Sequence, residues 1–121
     1  MSNSSLRLNL QDGSVSFQFT PVAAQQLKTQ LTTLVQQLKK AATITGTTGD
    51  RPTQQASLEY QYTGDIFLEL FCNPNIWSSP FAAKVLVTVR DERIRLTTEV
   101  ELPRIVEDIN AYLEQNSSGN I

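Results

Sequence analysis

The chain has 121 residues, 40% of them hydrophobic and 18% charged, with a formal net charge of −2. That length carries one core rather than two ordinary domains, and the near-neutral balance points to neither a strongly basic nucleic-acid binder nor an acidic tail protein. There is no histidine, which excludes histidine-dependent triads and every metal site that needs imidazole.

The single cysteine, Cys72, has no internal disulfide partner and fits a reducing compartment. The opening residues lack a basic stretch followed by an apolar one, and no apolar run approaches the roughly 18 residues of a membrane span. The expectation is a soluble cytoplasmic protein with a single domain over residues 1–121.

Leu6, Leu8 and Leu10 alternate with Arg7 and Asn9, Asp12-Gly13 supplies a turn, and Val15, Phe17 and Phe19 alternate with Ser16 and Gln18. This is a hairpin pattern. Thr20-Pro21 reads as N-cap and first helical residue, and Ala24, Leu27, Leu31, Leu34 and Leu38 recur at steps of three and four. A helix is predicted from about Pro21 to about Ala41. The stripe keeps heptad spacing over too short a run for a coiled coil and suits a helix lying on its own sheet. Residues 43–56 are Thr, Gly, Asp, Pro and Gln with one Ile, too little apolar material to pack, so a flexible loop is expected.

Leu58, Tyr60 and Tyr62 alternate, Gly64-Asp65 marks a turn, and Ile66 to Cys72 is apolar except for Glu69. These are two further strands. Asn73 to Pro80 is a loop with the only tryptophan, Trp77. Ala83 to Val89 forms the next strand with Val85, Val87 and Val89 inward; Arg90 to Arg93 turns the chain, and Ile94, Leu96, Thr98 and Val100 form the last strand. Pro103 opens a second helix with Leu102, Ile105, Val106, Ile109, Tyr112 and Leu113 on one stripe, and the tail, 115–121, is expected to fray.

The predicted fold is α+β: a mainly antiparallel sheet of about six strands with two helices packed on one face, in the order ββα-ββββα. The opening hairpin also aligns with the closing one at an offset of 79 residues, Asp12 on Asp91, and each leads to a proline-started helix, although the offset slips by three residues before Pro103. Any two amphipathic hairpins align in this way.

No catalytic residue, metal ligand or cofactor site is predicted. Cys72 follows Phe71 at the end of an apolar strand with no base or cation in sequence reach, which describes a packed thiol rather than a nucleophile. Glu99 and Glu101 share one side of a strand, but two carboxylates are too few for a hard cation. Ser78 and Ser79 lack any nucleophile motif, and Gly46 to Arg51 lacks the Gly-Lys-Ser/Thr end of a phosphate loop.

The anomaly is apolar excess on the side of the sheet that should be polar. With Ile66, Leu68 and Leu70 facing the helices, Phe67 and Phe71 face away, and with Val85, Val87 and Val89 inward, Leu86 faces away beside them. Either the loop carrying Ile76, Trp77 and Phe81 folds back over these groups, or they form a patch for another chain or a second copy. The same side carries basic residues, Lys84, Arg90 and Arg95, with Arg93 in the turn; cations among aromatics suit single-stranded nucleic acid by stacking and phosphate pairing. On this assignment Glu59, Glu69, Glu99 and Glu101 offset Arg7, Lys84, Arg90 and Arg95.

The four strands and helix from Leu58 to Glu114 resemble, in their order of elements, the unit of Whirly-type single-strand-binding proteins. The resemblance implies nucleic acid as the alternative ligand. The primary expectation is a non-catalytic interaction or accessory module, a candidate homodimer, that uses Phe67, Phe71, Ile76, Trp77, Phe81 and Leu86 against a protein partner. The alternative uses Lys84, Arg90, Arg93 and Arg95 on nucleic acid. No membrane partner is expected.

Overall fold

The structure, a computed structural model, describes residues 5–44 and 55–117. Strands β1 (Ser5–Leu10) and β2 (Gly13–Gln18) form a hairpin in which Leu6 pairs with Phe17 and Leu8 with Val15. Helix α1 (Pro21–Ile44) follows, then β3 (Leu58–Thr63), β4 (Phe67–Cys72), a short 3-10 turn at Pro74–Ile76, β5 (Lys84–Arg90), β6 (Arg95–Glu101) and α2 (Leu102–Ser117). The predicted order ββα-ββββα and the α+β class hold. All strand pairs are antiparallel, but the six strands divide into a two-stranded sheet and a four-stranded one, ordered β3-β4-β5-β6.

Side chains on α2 explain why the first hairpin stays apart. Asn9 N donates to Asp108 Oδ2 at 2.8 Å, Asn9 Nδ2 donates to Asp108 Oδ1 at 2.8 Å, and Arg104 Nη1 donates to the Leu10 carbonyl at 3.1 Å. Backbone groups of β1 that a neighbouring strand would need are thus taken by a helix. At the end of β2, Phe19 packs edge-on against Phe17, Tyr62 and Tyr112, and the Tyr112 hydroxyl donates to the Phe19 carbonyl.

Helix α1 starts where the sequence predicts. Thr20 Oγ1 accepts from Ala23 N at 3.1 Å, satisfying one donor of the open first turn. Ala24, Leu27, Leu31, Leu34 and Leu38 are buried. Helix α2 begins directly at the end of β6, with Leu102 N donating to the Ala83 carbonyl at 3.0 Å, and buries Ile105, Ile109 and Tyr112. Both stripes share one core with Leu6, Leu8 and Phe17 of the hairpin and with Leu68, Leu70, Val85, Val87 and Val100 of the larger sheet. Most of the expected loop at 43–56 lies outside the described residues. In the expected frayed tail, residues up to Ser117 are helical, and 118–121 lie outside the described residues.

Candidate interaction surface

Strand alternation and the pairing register define the face of the four-stranded sheet that points away from the core. It consists of three complete rows across β3, β4, β5 and β6: Thr63, Phe67, Arg90 and Arg95; then Gln61, Glu69, Thr88 and Thr97; then Glu59, Phe71, Leu86 and Glu99. Lys84 and Glu101 pair beyond the third row. The edge strands β3 and β6 therefore contribute polar side chains only, and the apolar groups come from the two central strands.

The predicted outward residues do face outward. Phe71 is 41% exposed and Leu86 40%, and they are direct partners across β4 and β5. Phe67 is half-buried because Arg90 lies over its ring, with the guanidinium carbon 4.3 Å from the ring centre. In the middle row Gln61 Nε2 donates to Glu69 Oε2 at 3.1 Å, and the Thr88 and Thr97 hydroxyls lie 3.5 Å apart. Thr88 is buried although it points outward, which alternation in the sequence gives no reason to expect.

The loop after β4 does not act as a lid over this face. Asn73 Oδ1 accepts from Asn75 N at 3.0 Å, and Asn75 spans to the backbone of Gln55, accepting from its N–H and donating to its carbonyl at 2.8 Å each. These bonds turn the segment toward α1, with Pro74 buried. Trp77 is half-buried against the core and shares a side-chain hydrogen bond with Cys72, whose side chain points inward. Trp77 therefore stands apart from Phe67, Phe71 and Leu86. Ile76 and Phe81 are open, at 68% and 84% exposure.

The basic residues do not form one stripe. Arg90 and Arg95 are direct cross-strand partners and Arg93 lies in the turn that joins their strands, whereas Lys84 is at the far end of β5, about 20 Å away along the strand. Arg90 and Arg93 border an open cleft with Thr63, Asp65, Phe67, Asp91 and Glu92, so its charge is mixed. Arg7 belongs to the hairpin sheet, which corrects its assignment to this face. Without it, Lys84, Arg90 and Arg95 stand against Glu59, Glu69, Glu99 and Glu101, and the face is slightly acidic.

Cys72 behaves as packing. Burial pushes its thiol up to about 11, with the Trp77 hydrogen bond acting in the opposite direction, and a thiol is a poor nucleophile until ionised. Among the described residues, no three Cys, Asp or Glu side chains gather as metal ligands would. No helix of the described residues is long and apolar enough to cross a membrane. Comparison of the chain with protein-family models, curated proteins and solved structures gives no match, so the likeness to Whirly-type proteins rests on element order alone.

Proposed function

We propose that this chain is a small, non-catalytic, cytoplasmic interaction module that docks a protein through the outer face of its four-stranded sheet. The observation that carries the reading is the Phe71 and Leu86 pair: two large apolar side chains, adjacent in register, each about two-fifths exposed, with no described element over them. Fully burying such a group is worth roughly 1.5–3 kcal/mol relative to leaving it in water. A polar margin from Glu59, Gln61, Thr97 and Glu99 surrounds the pair, which is the arrangement of an interface with an apolar centre and a wet rim. Nucleic acid is less well served. Arg90 already occupies the Phe67 ring, and carboxylates outnumber cations across the face, whereas nucleic-acid affinity grows with the number of phosphates neutralised.

A photo-crosslinking amino acid at position 71 tests the reading in cells, with the same group at the exposed helix residue Gln30 as the control. A protein adduct at 71 and none at 30 is expected. A nuclease-sensitive adduct would transfer the face to nucleic acid. No adduct at 71 would remove the face as a binding surface.

A further inference from the structure

We propose that the occupant of the outer face is a second copy of the same chain, stacked face to face with its strands reversed. The inference rests on the interaction reading above and adds the identity of the partner. Its basis is the polarity of the face along the strands. Arg90 and Arg95 stand at one end, while Glu59 and Glu99 stand at the other, with the row from Gln61 to Thr97 between them.

Two copies related by a two-fold axis and stacked through one face have that axis between the sheets and parallel to them. An axis running along the strands would lay like ends together, placing Glu59 over Glu99 of the second copy twice. An axis running across the strands, through the middle row, lays each strand on its own counterpart in reverse. Arg95 then lies over Glu99 of the second copy, twice by symmetry, and Phe67 lies over Phe71. The β5–β6 turn, with Glu92 and Arg93, extends over the Lys84 and Glu101 pair. Opposite charges meeting at both ends select this second arrangement. Its single like-charge contact is Glu69 on Glu69 at the axis, where Gln61 already donates one hydrogen bond to the carboxylate.

Strands about 4.8 Å apart, rising about 3.3 Å per residue, give a face roughly 20 Å on each side. That is about half the roughly 800 Å² per partner of a standard stable interface and belongs with the weak, transient class, so a dimer that dissociates on dilution is expected.

Light scattering on a dilution series of the full chain tests the proposal. The wild type should pass from dimer to monomer on dilution. Arg95→Glu and Glu99→Arg should each weaken the dimer about tenfold or more, because each turns two opposite-charge contacts into two like-charge ones. Both positions are exposed on β6, and far-ultraviolet circular dichroism checks that the variants fold. An equimolar mixture of the two variants should recover a heterodimer within about threefold of the wild-type affinity, since both contacts become opposite again. Glu69→Gln, which removes the like-charge contact at the axis, should give a tighter dimer than the wild type.

A wild type that stays monomeric to about 1 mM, weaker than any useful self-association, would overturn the proposal. So would variants that dimerise like the wild type, or a mixture no tighter than its components. The crosslink at position 71 separates these failures from failure of the interaction reading: an adduct to a different protein keeps the surface and changes its occupant.

Discussion

The two faces of the four-stranded sheet are built from the same strands in the same register and have opposite fates. On the inner face Leu68, Leu70, Val85 and Val87 are fully buried; on the outer face Phe71 and Leu86 retain two-fifths of their exposure. Strands β3 and β6 follow simple alternation, with Glu59 and Gln61, or Thr97 and Glu99, turned to water. Strands β4 and β5 are apolar on both sides at Phe71 and Leu86. A sheet with one helical layer needs only one apolar face. The departure is confined to the centre of the sheet, and the polar edges keep the open backbone groups of β3 and β6 from offering a flat apolar template.

Leucine truncations measure that difference directly. Leu70→Ala removes a fully buried side chain from the inner face and should cost about 3 kcal/mol of unfolding free energy. Leu86→Ala removes the same atoms from the outer face and should cost below about 1 kcal/mol in the dissociated chain, because two-fifths of its surface is already in water and its removal opens no closed cavity. Urea titration at high dilution gives both values. Equal costs would show that the outer face is covered within one chain and would remove the contrast.

Alkali should act through the inner face. Burial pushes the Cys72 thiol from 9.0 up to about 11. Burial, with a smaller contribution from Tyr62, pushes the Tyr60 phenol from 10.0 up to about 12. The folded protein holds both protons more tightly than the unfolded chain does. The stability this confers is complete below the unfolded value of each group and is lost as the pH rises through the folded value. The thermal midpoint should therefore fall between about pH 9 and 12. In Cys72→Ala the fall should begin nearer pH 10, where only Tyr60 remains. A fall that begins at the same pH in the variant would place the loss elsewhere.

Much of this arrangement was legible from residues alone, because alternation and helical spacing report burial directly. The stripe from Ala24 to Leu38, the inward valines of β5 and the outward Phe71 and Leu86 all follow from periods of 3.6 and 2. Separation of the first hairpin was not legible, since it depends on Asp108 and Arg104 reaching β1 from almost the other end of the chain. The position of Trp77 was also hidden. A loop tryptophan over the outer face and one over Cys72 read identically in sequence, and the choice is made by Asn75 bridging to Gln55. The gap between Lys84 and Arg90 needed only the strand rise, but a count of basic residues without their spacing misses it.

The smallest expected effect lies in the turn that joins the outer rows. Asp91 accepts from Arg93 N at 2.7 Å and Ile94 N at 2.9 Å, and its own N–H donates to the Ile94 carbonyl at 3.0 Å. These bonds hold Arg90 opposite Arg95 despite their like charge. The backbone donors of Arg93 and Ile94 hold the Asp91 carboxyl below its ordinary value. Its contribution is present above the ordinary carboxyl range and is lost as the pH falls through the depressed folded value. Asp91→Ala should therefore lower stability slightly at neutral pH, with the difference from wild type shrinking in acid. Amide exchange should quicken at Arg93 and Ile94 and remain unchanged at Leu70 and Val87, because a fully exposed turn opens locally without opening the core. Faster exchange at Leu70 would mean that the turn organises both faces, and the separation between them would not hold.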